Sequence, residues 1–189
     1  MSPDFRFLSS GRTVTLLSVV SLVVRPTFPD DRPAVVELVR SAFTDATSDG
    51  HEEVEIVEQT WALKPGDDVI DLVAVRDVGI IGHVLAAPGT LSTTQLLAVA
   101  PLAVAPAHQR HGMGSRLMVE LLRRAEDAAW PAVVLLGDPK YYERFGFEHA
   151  GRTGVVYPHV GAESPYFQIR RLSRYTPSLH GSFAYCWEA

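Results

Sequence analysis

The sequence predicts an α/β fold: a mixed central β-sheet with helices on both faces. Three observations predict it. Apolar runs of strand length alternate along the chain with stretches of helical periodicity, the pattern of a layered sheet-and-helix domain. One such run, Leu102-Ala-Val-Ala-Pro-Ala-His-Gln-Arg-His-Gly-Met-Gly114, breaks at Pro106 and passes through two glycines directly into an amphipathic helix. Finally, 189 residues with 47% apolar composition can bury one sizeable core, and nothing calls for a second domain.

In chain order, Thr13 to Val24 is apolar, follows Arg6 and Arg12, and is too short to span a bilayer. No small-residue cleavage site follows before Arg25-Pro26, so residues 21–25 read as the first strand and residues 1–20 as an extension without assigned role. Asp30 or Asp31 is expected to cap a helix through Phe43 with Val35, Val36, Val39 and Phe43 inward. A second helix is expected from His51 to Ala62, with Val54, Val57 and Trp61 on one side. Strands follow at 69–76 and 80–87, joined by a turn at Asp77-Val-Gly79, and at 95–104. Ala132 to Leu136 is short and apolar enough for a buried central strand. Asp138 caps and Pro139 opens a short helix carrying Tyr141 and Tyr142, which Gly146 ends in a left-handed turn. Last strands are expected at 152–156 and 166–172, with 173–189 as a tail.

The helix after Gly114 is the most legible element. Leu117, Met118, Leu121, Leu122 and Ala125 draw one apolar stripe, while Arg116, Glu120 and Arg124 pair at i, i+4 on the solvated face. Its first amides have no intrahelical acceptor and sit at the positive end of the helix dipole. Gly112 and Gly114 carry no Cβ, so a diphosphate can come close to the main chain. A Walker loop would need four residues between its glycines and a following Lys-Ser/Thr, and neither is present. A dinucleotide fingerprint would place a third small residue where Leu117 stands.

What remains is a Gln/Arg-x-x-Gly-x-Gly/Ala signature, here Gln109-Arg-His-Gly-Met-Gly114, with Ala100-Pro-Leu-Ala-Val-Ala-Pro106 upstream and Val133 to Phe147 downstream. With these segments the chain, from about Leu22 to Leu172, resembles the GNAT superfamily of acetyl-CoA-dependent N-acetyltransferases, in its YhbS-like branch. The resemblance implies a GNAT-like acyl-CoA N-acyltransferase fold over residues 21–172, with a bulged, splayed central strand. Pro101, which cannot donate to a ladder and lies in too apolar a run for an exposed edge, independently reads as that bulge. The resemblance also implies that Leu102, Ala103 and Val104 hold the pantetheine arm and acetyl carbonyl of acetyl-CoA. A main-chain N–H there would stabilise the tetrahedral oxyanion. Gln109, Arg110, His111, Gly112, Met113, Gly114 and Ser115 are implied to bind its phosphates, with Tyr142 against the sulfur.

Coenzyme A leaves as a thiolate whose thiol has a pKa of about 8.5, against about 10 for a phenol, so a placed tyrosine can share its proton. Tyr142 is the expected general acid; as residues alone, Tyr141 and Tyr142 also read as core aromatics beside Phe145 and Phe147. Many GNAT enzymes carry a basic glutamate on the strand before the glycine loop, but Gln95 to Val104 holds neither carboxylate nor histidine. His83, or Glu52, Glu53 or Glu55 of the second helix acting through water, are the candidate bases. The acidic set Glu52, Glu53, Glu55 and Glu58 would attract an ammonium group or simply form a solvated helix face. Asp138 stands where the superfamily commonly has asparagine, and its expected work is the helix cap.

A formal charge of −5 argues against a nucleic-acid surface, and the single Cys186 excludes an internal disulfide or a cysteine zinc site. The seven histidines show no metal-ligand spacing. The expectation is a cytoplasmic protein with no metal and no membrane partner, a monomer or homodimer, that acetylates an amine-bearing small molecule or peptide. A non-catalytic acyl-CoA-binding module of the same fold is the alternative, and the missing carboxylate is its support. Acceptor choice is expected to lie in 46–61 and 155–166, which carry no readable motif.

Overall fold

The computed structural model describes residues 22–45, 47–63, 68–77 and 79–188; the extension 1–20 lies outside them. Strands β1 (Leu22–Pro26), β2 (Ile70–Arg76), β3 (Gly79–Leu91), β4 (Thr94–Val104), β5 (Ala132–Leu136), β6 (Glu148–His149), β7 (Val155–Val156), β8 (Phe167–Arg171) and β9 (Gly181–Ala184) form one mixed sheet. Its main path runs β1-β2-β3-β4-β5-β8-β6. Neighbours on that path are antiparallel except β4 and β5, which are parallel and joined through helix α3 (Met113–Asp127).

Helix α3 lies on one face, burying Leu117, Met118, Leu121 and Ala125 against Leu72, Val84, Leu97, Val99 and Val133. Helices α1 (Arg32–Phe43) and α2 (His51–Ala62) cover part of the other, with Val35, Val39, Val54 and Val57 on Val73, Leu85 and Ala103. The rest of that face is a cluster of Leu96, Ala98, Val134, Phe167, Ile169 and Phe183. Both faces are therefore withdrawn from water, which is why β5 reads as a continuous apolar run rather than an alternating one.

Several expectations shift by local chemistry. Asp31 precedes α1 but makes no side-chain cap to it; its carboxylate takes Arg25 at 2.6 and 2.9 Å and the Phe28 amide at 2.8 Å. Glu120 pairs with Arg124 at 2.8 Å as expected, yet its other partner is Arg123 rather than Arg116. Asp138 does cap helix α4 (Pro139–Tyr142), accepting from the Lys140 amide at 3.0 Å, and Gly146 adopts φ +77° beyond it.

The expected strand at 152–156 shrinks to Val155–Val156, preceded by a 3-10 turn. Strand β3 runs to Leu91, beyond the expected end at Ala87. The segment read as a tail re-enters the sheet: β9 pairs with β3 through Leu91↔Phe183 and with β7 through Val155↔Gly181. Phe183 is buried there, and Gly89 leaves room for its ring, since a Cβ on Gly89 would fall 2.3 Å from Phe183 Cζ.

Candidate acetyl-coenzyme A cleft

The site is built on a change of register. Val84 pairs with Leu102, but Ala86 pairs with Val99, so β4 carries one extra residue at Ala100-Pro101, a bulge with a cis peptide bond. An extra residue reverses side-chain alternation. Leu97 and Val99 face α3 before the bulge, and Leu102 and Val104 pack on the same side after it, whereas Ala103 points to α1 and α2. The parallel pairing of β4 with β5 ends at Val99↔Leu135, and the strands part beyond it.

A cleft of about 990 Å³ occupies the opening, with Ala100, Pro101, Leu102, Leu136 and Gly137 at its base. At one end stands the glycine loop. Gln109 fastens it to β4 by donating its side-chain amide to the Val104 carbonyl at 3.1 Å, and His111 Nδ1 lies 2.6 Å from the Gln109 carbonyl. Arg110 and Gly112 take left-handed φ of +61° and +80°, which turns successive main-chain amides toward one side. Such a conformation is costly for arginine but free for glycine. The first main-chain bond of the turn is Arg116 N–H to the Gly112 carbonyl at 3.1 Å. Among the described residues, the amides from Arg110 to Ser115 have no acceptor within the chain. Gly114 is pressed by Tyr141, whose hydroxyl would lie 2.5 Å from a Cβ added there.

Tyr142 lies across the floor. Its ring packs on Gly137, where an added Cβ would meet Cε2 at 2.4 Å, and edge-on to Tyr141 and Phe147. Gly137 is held in turn by the buried Gln168, which donates to its carbonyl at 2.8 Å, and by its own amide bonded to the Tyr166 carbonyl at 2.9 Å. Tyr142 lines the cleft. Burial, reinforced by the neighbouring Tyr141, pushes its pKa well above the ordinary phenol value. Burial also raises Tyr141, opposed by Ser115 and by the Arg144 guanidinium over its ring.

At the opposite end are Phe43 at the end of α1, Glu52, Glu53, Glu55 and Ile56 of α2, and Tyr157, Tyr185, Trp187 and Glu188. The C-terminal turn is pinned there. Glu188 accepts from the Tyr157 hydroxyl and, at 2.9 Å, from the Tyr185 amide, and Trp187 stacks on Tyr185 with ring centroids 4.5 Å apart. Burial first lifts the Tyr157 and Tyr185 phenols, followed by the hydrogen bond to Glu188 for Tyr157 and by the neighbouring Tyr157 for Tyr185.

Most of the residues singled out from the sequence converge here: Leu102, Val104, Gln109, Arg110, Gly112, Met113, Gly114, Ser115, Tyr142 and Glu52 all line the cleft. Ala103 is buried under α1 and α2, and the exposed His111 is outside the lining. His83 is the clear departure. It is fully buried between β2 and β4, with Nε2 2.9 Å from Asp71 Oδ1, and does not reach the cleft. Desolvation pushes the Asp71 carboxyl up, but bonds from His83, Thr27 and Trp61 outweigh it and leave the group below its usual value. His83, expected as a base, thus sits in the core against the partly buried Asp71 carboxylate.

Unforeseen from the sequence are Gly137, Tyr185, Trp187 and Glu188, whereas Tyr157 falls in the segment 155–166 expected to face the acceptor. Gly137, directly before Asp138-Pro139, was a readable signal; the C-terminal residues had no local pattern. Two free carboxylates face the cleft without a base strand behind them: Glu52 is exposed, while Glu53 is half-buried with Oε2 enclosed and unbonded among the described residues.

A family model for an acetyltransferase (GNAT) domain matches residues 67–149. The chain is 33% identical over 156 residues to the uncharacterised N-acetyltransferase YhbS of Escherichia coli K12, covering 80% of this chain and 88% of that protein. To YjhQ of the same strain it is 29% identical over 112 residues, 57% of this chain and 62% of that one. Among solved structures, E. coli YhbS in complex with CoA matches with a TM-score of 0.76 and 29% identity, over 88% of this chain and 90% of that chain. A GNAT family acetyltransferase of Brucella melitensis in complex with acetyl-CoA matches at 0.72 and 28%, over 89% and 99%.

Proposed function

Because the chain belongs to the GNAT acetyltransferase family, we propose that it is an acetyl-CoA-dependent N-acetyltransferase acting directly on the amine of a small molecule or peptide. The observation that carries this is the row of unbonded amides from Arg110 to Ser115, opening into the same cleft as the parted strands and Tyr142. The relatives solved with CoA and acetyl-CoA support acetyl-CoA as the co-substrate.

In this reading the diphosphate rests on the amides before α3, with Arg110 adding positive charge. The pantetheine arm follows Ala100 to Val104, where β4 has lost β5 as a partner, and the main-chain groups of Leu102 and the N–H of Val104 bind it, the Val104 carbonyl being taken by Gln109. Ala103 takes no part, since its side chain is turned to α1 and α2 and its main chain pairs with His83 of β3. The neutral amine attacks the thioester carbonyl carbon, a C–N bond forms, and the C–S bond breaks as electrons pass to sulfur. A main-chain N–H beside the carbonyl oxygen stabilises the tetrahedral charge.

The thiolate departs hydrogen-bonded to Tyr142 and takes its proton through that phenol from water in the cleft. The raised pKa of Tyr142 makes hydrogen-bond donation, rather than outright ionisation, the larger part of its work. The surplus proton of the amine passes through water to the carboxylates of Glu52 and Glu53; His83 takes no part. Among the described residues no helix is long and apolar enough to cross a membrane, consistent with action in the cytoplasm.

Acetyl-CoA titrated by calorimetry, followed by free-thiol release with an amine panel, tests the reading. Amine-dependent release is expected. Tight binding without release on any amine would favour a binding module, and no binding at all would sink the proposal.

A further inference from the structure

We infer that the acceptor end of the cleft selects an amine that carries its charge beside an apolar body and lacks a carboxylate, and that Glu53 receives the ammonium group. This rests on the acetyltransferase reading and names the substrate class it leaves open.

The cleft is electrically polarised along its length. Its guanidinium groups, Arg110 and Arg144, belong to the glycine loop and the turn after α4, where the one lining acid, Asp138, is engaged in capping that helix. From there the floor runs past Tyr142, which lies near enough to Tyr185 for the two phenols to influence one another, and Tyr157 in turn feels both Glu188 and Glu52. The charged side chains that line the far end, Glu52, Glu53, Glu55 and Glu188, are all carboxylates. A substrate carboxylate arriving there meets like charge; the basic groups beside it, His159 3.8 Å from Glu188 and His51 4.0 Å from Glu55, are exposed imidazoles already set against those acids.

These acids are not equivalent. Glu188 is occupied by Tyr157 and the Tyr185 amide, and Glu55 accepts from Gln59 on its own helix at 3.0 Å. Glu52 is exposed. Glu53 alone of the four is half-buried, and it accepts from no donor among the described residues; its Oε2 is enclosed, which leaves Oε1 as the oxygen a ligand can meet. Holding a half-buried carboxylate without a donor is costly, and a donor from outside the chain placed on the open Oε1 offsets that cost. Charge favours a cation, since an ammonium donates up to three hydrogen bonds.

The walls define the rest of the ligand. Phe43, Ile56, Tyr157, Tyr185 and Trp187 line the same cleft with aromatic and aliphatic surface. Aromatic faces attract an ammonium group and pack against an apolar body, so both parts of the ligand are recognised. The charged amine must shed a proton before it attacks, and Glu53 stands at the atom from which that proton leaves.

The test uses three probes of one shape on the full chain saturated with CoA, which cannot transfer an acetyl group: phenethylamine, phenylalanine and 2-phenylethanol. Phenethylamine is expected to bind at least about tenfold more tightly than either of the others, the scale of one charge-assisted hydrogen bond. Glu53→Gln, which keeps the shape of the side chain, is expected to remove most of that advantage while 2-phenylethanol binds as before. Phenylalanine binding as well as phenethylamine, absence of phenethylamine binding up to about 10 mM, or an unchanged advantage in the Glu53→Gln protein would each overturn the inference. The initial CoA titration judges the underlying reading separately, because its failure would precede any addition of acceptor.

Discussion

Replacing Gly112 with alanine separates the cost of the loop to the fold from its use in binding. Gly112 holds φ +80°, and a Cβ built on it meets no atom within 4 Å. The substitution therefore creates no clash within the protein, and its structural cost is that of a left-handed alanine, about 1–2 kcal/mol. In a chain of this size that lowers the melting temperature by roughly 2–8 °C. The space in front of Gly112 is where a phosphate must come to reach the neighbouring amides, and a methyl group there holds it off. Each charge-assisted hydrogen bond lost costs about 1.5–3 kcal/mol, so CoA binding is expected to weaken by about 10- to 100-fold. Calorimetry with CoA and with pantetheine, which lacks the diphosphate, provides the comparison: the variant should lose affinity for the first and keep it for the second. CoA affinity within about threefold of the parent would refute the claim that these amides bind phosphate. An equal loss for both ligands would point to a general collapse of the cleft.

Tyr142→Phe should lower kcat by about 10²-fold with little change in KM for acetyl-CoA, as measured by thiol release; because burial raises this phenol, its ionisation should cause no alkaline fall in rate below about pH 10. His83→Ala should leave the pH–rate profile unchanged but cost about 1–3 kcal/mol in a melting experiment, as Asp71 loses one of its donors. Bonds from Arg123, opposed by desolvation and reinforced by Arg124, lower Glu120 from 4.5 to about 2. The folded state thus favours its ionised form, and the stabilisation is full above about pH 4.5 and lost as pH falls toward about 2. Glu120→Gln should flatten acid-melting curves in that window by no more than about 1 kcal/mol, since the pair is partly solvated.

Much of the cofactor half of the cleft was legible because its determinants are local. Gln109 to Gly114 lie within one turn, and their glycines, their lack of a side-chain cap and the apolar stripe of α3 specify a strand that enters a helix through free amides. Pro101 announced its bulge because a residue without an N–H cannot sit quietly in a buried ladder. Asp138-Pro139 and Gly146 marked both ends of α4 by caps that act over a few residues. His83 misled for an equally physical reason. A histidine on a strand carries no sign of which face it occupies or whether a carboxylate awaits it, and Asp71 becomes its partner only when β2 and β3 are laid side by side.

The acceptor half depended on distance along the chain. Glu53 on α2, Tyr157 after β7, and Tyr185 to Glu188 at the C-terminal end meet only after β9 has re-entered the sheet beside β3. No periodicity or cap encodes that meeting, because it is made by long-range pairing and by the packing of Phe183 into the space left at Gly89. By itself the sequence determined the glycine loop, the bulged strand and the class of fold, each set by backbone sterics and amphipathic spacing. Tertiary structure alone decided which carboxylate lies enclosed in the cleft, which histidine is sealed in the core and which aromatic rings surround the acceptor, since those depend on contacts between segments that the chain keeps far apart.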